Sequence, residues 1–137
     1  MSTPLRAGII GAGYIATWHA DAIKQTPGVE LAAVCDLSEG AARDLGEPRG
    51  AAIFTDVDAM LASGTVDAVQ ILTPPQLHAS LAEKALQSGV AVLVEKPVAV
   101  SADEMRAMAK ASEQSGSLLA VGHNFLSLPG YERLKKA

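Results

Sequence analysis

Residues 5–16, Leu-Arg-Ala-Gly-Ile-Ile-Gly-Ala-Gly-Tyr-Ile-Ala, decide how the rest of the chain is read. The apolar, partly β-branched run Leu5 to Ile10 has the character of a strand and ends directly on Gly11 and Gly13. From Tyr14 the apolar spacing turns helical and stays so to Gln25. Gly11 to Ala16 therefore spell G-x-G-x-x-A at a strand-to-helix turn. Gly11 permits the tight turn, Gly13 lets the backbone approach a pyrophosphate without a Cβ in the way, and Ala16 allows close packing of helix on sheet. The helix start at Tyr14 and Ile15 offers free N–H groups and positive potential to phosphates.

Outward from this loop, strand-like and helix-like segments alternate. Further strands are expected at Val29–Cys35, Ala52–Phe54, Ala68–Leu72, Ala91–Val94 and Leu118–Val121. Helices are expected at Ser38–Leu45, Asp56–Ala62, Leu77–Ser88 and Ala102–Ser115, with another beginning in Leu128–Ala137. Punctuation supports these limits: Thr26-Pro27-Gly28 stops the first helix, Gly89 and Gly116 follow two later ones, and Ser101 with Glu104 forms a capping-box pattern. Strands that are apolar throughout suit a parallel sheet covered on both faces, joined by right-handed crossovers. The expected fold is α/β, a Rossmann-type doubly wound parallel sheet of about six strands with helices on both faces.

Composition narrows the function. With 49% apolar and 19% charged residues, the chain has the make-up of a folded globular domain. The net charge of -4 and the scattered Lys and Arg leave no basic stripe for a phosphate backbone, so no nucleic-acid partner is expected. Arg133, Lys135 and Lys136 read as a solvated last helical turn. The single Cys35 rules out an intrachain disulfide and sits in an apolar run, so a buried, inert thiol is expected. Met1 to Arg6 lack a charged segment followed by an apolar one, and no uncharged apolar run reaches the ~18 residues of a spanning helix. A reducing, cytoplasmic setting without membrane contact is the expectation.

The second strand ends at Asp36, a little over ~20 residues past the glycines, where a carboxylate typically accepts hydrogen bonds from the adenine-ribose hydroxyls. Taken alone, Asp36 reads equally well as a turn residue before the next helix. A carboxylate there would repel the 2'-phosphate of NADP, and Leu37 follows in place of an arginine that could pair with it. NAD is the preferred cofactor, with NADP as the alternative. A glycine loop and an acid would also suit a domain that holds S-adenosylmethionine. Two later segments bear on the choice: Thr73-Pro74-Pro75-Gln76-Leu77-His78 after the fourth strand, and Glu95-Lys96-Pro97 after the fifth. Both lie at carboxyl ends of strands, where open parallel sheets bind ligands. His78 has no second ligand at metal spacing, so no metal site is expected.

Gly11-Ala12-Gly13-Tyr14-Ile15-Ala16, His19, Cys35-Asp36, Thr73-Pro74 with His78, and Glu95-Lys96-Pro97 together resemble the Gfo/Idh/MocA family of NAD(P)-dependent oxidoreductases, which act mostly on sugars, inositols and related polyols. The resemblance spans nearly the whole chain, and Glu-Lys-Pro is its most diagnostic part. It implies that Lys96 lies near the nicotinamide and the reacting hydroxyl, with Pro97 after a cis peptide bond. A cation there could stabilise alkoxide charge or relay its proton. Lys96 is therefore the candidate catalytic residue. The candidate cofactor contacts are Gly11, Gly13, Tyr14, Ile15, Asp36, Thr73, Pro74, His78, Glu95, Lys96 and Asn124. His19, beside Trp18, reads as a packed structural histidine. Pro75 stands where the family frequently has asparagine, and Leu126 where it often has arginine.

The resemblance also implies a second domain with an open antiparallel sheet and an Asp-x-x-x-His pair for proton transfer. Residues 122–137 contain neither. The expected organisation is a dinucleotide-binding unit over residues 1–122, then the start of a connection over 123–137 to a substrate domain absent from this chain. Cofactor binding without full catalysis follows, because hydride transfer needs a second reactant held against the nicotinamide. A sugar or polyol would be a partner only if a second domain or chain completed the site. Surface left uncovered would favour self-association. The alternative is a non-catalytic module in which NAD(H) occupancy governs association with a partner chain.

Overall fold

In the computed structural model, which describes residues 3–136, the apolar runs become six strands. They are β1 (Leu5–Ile10), β2 (Val29–Cys35), β3 (Ala52–Phe54), β4 (Ala68–Ile71), β5 (Ala91–Glu95) and β6 (Leu119–Gly122). Every adjacent pair is parallel, in the order β3-β2-β1-β4-β5-β6. The chain thus winds outward from β1 in one direction, returns, and winds outward from β4 in the other. This reversal opens a crevice at the carboxyl ends of β1 and β4, where a loop from each strand turns away to its own face.

Between the strands lie α1 (Tyr14–Gln25), α2 (Glu39–Gly46), α3 (Val57–Ala62), α4 (His78–Gln87) and α5 (Ala102–Ser115), and after them α6 (Pro129–Lys136). One core packs Ala16, Ala20 and Ile23 of α1 and Leu45 of α2 against Ile9 and Val34. On the opposite face, Met60, Ala82, Leu86 and Met108 pack against Val69, Ile71, Val92 and Val94. Each fully buried Ile, Leu, Val or Met contributes roughly 1.5–3 kcal/mol by leaving water. This two-faced burial explains why the strands read as apolar throughout. Helix α6 buries none of its residues and carries Arg133, Lys135 and Lys136 in its last turn.

Caps account for most differences from the expected limits. Ser38 and Asp56 lie outside their helices as N-caps, their side chains accepting from Ala41 N and Asp58 N. The segment expected to be helical from Leu77 begins as a tighter 3-10 turn over Pro75–Leu77, since a proline ring suits a first turn. Strand β6 sits one residue later than expected and is followed by a 3-10 turn over Asn124–Ser127. Ser101 Oγ accepts from Glu104 N at 3.1 Å, while Glu104 reaches back to Val100 N at 3.0 Å, one residue before the cap itself. The expected helix limit at Ala137 lies outside the described residues, as do Met1 and Ser2. Among those described, no helix is long and apolar enough to cross a membrane.

Candidate cofactor and active site

The glycine loop turns sharply because β1 must pass its chain over the end of β4. Gly11 takes φ +97°, and a Cβ there would lie 3.0 Å from the Leu72 carbonyl carbon and the Thr73 nitrogen. Only glycine fits. Gly13, the N-cap of α1, has φ -77°, and a Cβ there would meet nothing within 4 Å. Its side of the loop is therefore open, and α1 starts with no side chain capping its first N–H groups. An uncapped helix start beside open space is the arrangement an anionic group requires.

A cleft of about 550 Å³ lies beside this loop, lined by Gly11, Gly13, Asp36, Thr73 and Pro74 and also by Leu37, Asp56 and Lys84. Asp36 does two structural jobs within it. Its Oδ2 accepts from Ala12 N at 2.8 Å, and its Oδ1 accepts from Ser38 N at 2.8 Å. The turn role weighed for Asp36 is thus present, and it also ties the end of β2 to the glycine loop. Each carboxylate oxygen can accept a further bond, which leaves room for a ribose hydroxyl. Burial pushes the neighbouring Cys35 thiol up to about 11, and the charges of Asp56 and Asp36 add to the effect. The expected inert thiol is accordingly buried and free of any disulfide.

Against α1 lies a second cleft, of about 400 Å³, lined by Ile15, Trp18, His19, Glu95, His123 and Asn124, among others. Here Glu95 and Asn124 come together although 29 positions separate 95 from 124. Glu95 is held between neighbours: its Oε1 lies 3.0 Å from His19 Nε2, and its Oε2 accepts from Lys96 N at 3.0 Å. Lys96 is exposed, with its ammonium 5.9 Å from the centre of the Phe125 ring, within cation–π range. The Lys96–Pro97 bond is cis. Both clefts open at the carboxyl ends of the strands, and the Lys96 segment follows β5 at that same edge.

Three candidate contacts are placed differently from the rest, Lys96 among them, since it lines neither cleft and its ammonium lies near Phe125. His78 is only 1% exposed and faces neither cleft; its ring nitrogens contact Thr73 O at 2.8 Å and Pro97 O at 2.9 Å. Both are spent on backbone, so the ring has no nitrogen left for a cofactor oxygen. Tyr14 is 85% exposed and lines neither cleft. Sequence reasoning did not single out Asp56, Lys84 or Gln70. Gln70 alone left a signal, a polar residue inside an otherwise apolar parallel strand.

Comparison with known proteins agrees with this geometry. The model of the oxidoreductase family with an NAD-binding Rossmann fold matches residues 5–123. An inositol 2-dehydrogenase of Rhizobium meliloti (strain 1021) is 35% identical over 133 residues, which are 97% of this chain and 40% of that protein. The WlbA dehydrogenase from Bordetella pertussis, solved with NADH and UDP-GlcNAcA, superposes with a TM-score of 0.94 at 32% identity, covering 98% of this chain and 42% of its own. A 3-ketoreductase from Actinomadura kijaniata, solved with TDP-benzene and NADP, superposes with a TM-score of 0.91 at 28% identity, covering 97% and 43%. The chain thus spans about 40% of the length of the inositol dehydrogenase it matches. A family match over residues 5–123, on a sheet whose glycine turn and Glu-Lys-Pro segment meet at one edge, shows that the chain belongs to the GFO_IDH_MocA oxidoreductase family and folds as its NAD-binding Rossmann domain.

Proposed function

We propose that this chain is the cofactor-holding half of a sugar, inositol or polyol dehydrogenase, and that it prefers NAD to NADP. The observation that carries the reading is the edge where β1, β4 and β5 end. It gathers the open face of Gly13, the uncapped start of α1, Thr73-Pro74 and the Glu95-Lys96 segment. In this reading the pyrophosphate lies over Gly13 and the Tyr14 and Ile15 N–H groups, with the adenosine in the cleft beside Asp36. Thr73 and Pro74 support the cofactor's middle, and Glu95 and Asn124 border the nicotinamide side. The bound cofactor supplies the hydride acceptor. Lys96 supplies a cation able to stabilise the substrate oxygen as its proton leaves, or to relay that proton.

The preference for NAD has an electrostatic basis. Asp36 and Asp56 both line the adenosine-side cleft, and the one cation lining it, Lys84, is paired with Asp58 at 2.7 Å. A 2'-phosphate would meet two carboxylates with no free cation among these lining residues. Leu37, 92% exposed, offers none either. The discriminating experiment titrates the chain with NADH, NADPH and S-adenosylmethionine, using Asp36→Ala as a control. Tighter binding of NADH, weakened in the variant, is the expected result. Preference for NADPH, or unchanged NADH affinity in Asp36→Ala, sinks the assignment of Asp36.

The chain is expected to bind NAD or NADH without oxidising a polyol at ordinary enzyme rates, because hydride transfer needs a second reactant held against the nicotinamide and sheltered from water, and both clefts are open. A second reading, an NAD(H)-responsive module completed by a partner chain, is favoured by the apolar surface near the second cleft, where Trp18 is 63% and Phe125 66% exposed. The same surface favours self-association. Activity that arises only on adding a partner separates this reading from the first, and light scattering at high concentration tests the self-association.

A further inference from the structure

Glu95-Lys96-Pro97 is a short segment that must hold a long, exposed lysine in place at the end of a strand. Among the described residues, the Lys96 side chain itself is tethered only by its distant contact with Phe125. Its backbone is held differently. On the face covered by α1, His19 spans from Gln70 of β4 to Glu95 of β5, with Nδ1 2.7 Å from Gln70 Oε1 and Nε2 3.0 Å from Glu95 Oε1. The second Glu95 oxygen then accepts the Lys96 backbone N–H. Gly122 of β6 closes the remaining side, since a Cβ there would lie 3.3 Å from Glu95 Oε1.

The opposite face repeats the device with other atoms. His78, the first residue of α4, spans from Thr73 O just past β4 to Pro97 O just past Lys96. Two imidazoles on two helices, one per face, therefore tie the residues on either side of Lys96 to the same strand end. A rigid aromatic bridge suits this task because a ring presents two polar atoms at a fixed separation, with little rotamer freedom to lose.

We infer that His19 and His78 are positioning residues that clamp Glu95-Lys96-Pro97 from both faces of the sheet and set the place of Lys96 relative to the end of β4. Their importance for catalysis rests on the role proposed for Lys96, while the clamp itself is a property of the cofactor-free chain. His19 acts through the Glu95 carboxylate and His78 through the Pro97 carbonyl; neither need touch substrate.

The test is amide hydrogen exchange of the full chain without cofactor, comparing wild type with His19→Phe and His78→Phe. Phenylalanine keeps the ring and removes both polar bridges. The reading is the ratio of exchange rates at Lys96, bonded to Glu95, and at Val92, bonded to Leu118 in the sheet. Loss of a bridge to a carboxylate should raise that ratio in His19→Phe by roughly tenfold or more. General destabilisation would speed both amides together and leave the ratio unchanged, which overturns the clamp. Because His78→Phe removes the link between Thr73 O and Pro97 O and can fail to fold, a second measurement uses ¹⁵N-histidine spectra. In Glu95→Gln the His19 Nε2 resonance should move while that of His78 stays; a stationary His19 signal also overturns the proposal. NADH titration of the wild type is a separate readout. Failure to bind NADH defeats the cofactor reading and leaves the clamp intact, whereas an unchanged exchange ratio defeats the clamp alone.

Discussion

Alanine at Gly11 and alanine at Gly13 should damage this protein in opposite ways, although the two glycines are two positions apart in one loop. At Gly11 the added Cβ faces backbone: the Leu72 carbonyl carbon and Thr73 nitrogen at 3.0 Å and the Leu72 oxygen at 3.1 Å. Backbone in a sheet cannot swing aside as a side-chain tip can. The φ of +97° adds the cost of left-handed backbone for an L-residue, ~1–2 kcal/mol. Overpacking against a rigid neighbour contributes ~1–3 kcal/mol more. A loss of about 3 kcal/mol is expected, a large part of the ~5–15 kcal/mol that holds a typical domain folded. For 137 residues the unfolding entropy near 60 °C is about 0.3 kcal/mol/K, so the melting temperature should fall by about 10 °C.

At Gly13 the sums differ. Its φ of -77° is open to any residue and the Cβ meets nothing. Alanine is a poorer N-cap than glycine but restricts the unfolded chain, and the two effects nearly cancel, leaving stability within about 0.5 kcal/mol of wild type. The open space it fills is where the pyrophosphate is proposed to lie, so NADH affinity should fall by roughly tenfold or more. Thermal melts and NADH titrations of both variants decide the matter. A Gly11→Ala protein as stable as wild type, or a Gly13→Ala protein that binds NADH normally, would refute the division of labour.

Cys35 should resist alkylation in the folded protein at pH 8, because its thiol is buried and pushed up to about 11. Its folded-state pKa lies above the unfolded one, so its contribution to stability is fully present below pH 9 and is lost as pH rises toward 11. Cys35→Ala should therefore melt with a weaker pH dependence than wild type between pH 9 and 11, and parallel curves would count against this. Asp67 is held below the usual carboxylate range by hydrogen bonds from Arg6, whose guanidinium lies 2.6 Å away. A lowered pKa stabilises above the unfolded value and is lost on acidification, so Asp67→Asn should melt below wild type at neutral pH, with the gap closing as pH falls below the usual carboxylate value and through the lowered one. A gap that is the same at pH 3 and pH 7 would show that the ion pair is not its source.

Much of the fold was legible because its signals are local. A strand running into Gly11 and Gly13, apolar runs of strand length, and the caps at Ser101 and Gly116 each depend on residues within one turn of one another. The same holds for the candidate site where a motif is continuous: Gly11 to Ala16, and Glu95-Lys96-Pro97. His19 and His78 were harder to read. A histidine's task is set by what lies at each ring nitrogen, and here those partners are 5 to 76 positions away. His78, a candidate cofactor contact by motif, turns out to spend both nitrogens on backbone, and His19, a packed residue by position, bridges two strands.

The sequence by itself thus determined the alternation of strand and helix, the parallel sheet that alternation requires, and the chemistry of the turn at Gly11 and Gly13. Hydrophobic period and turn stereochemistry act over a few residues and survive without knowledge of the neighbours. Only the tertiary structure decided that Asp36 binds the glycine loop, that Asp56 joins it in one cleft with Lys84 already paired, and that two imidazoles brace the Lys96 segment from opposite faces. Those outcomes depend on distances between segments remote in the chain, and the order in which parallel strands are laid side by side sets these distances.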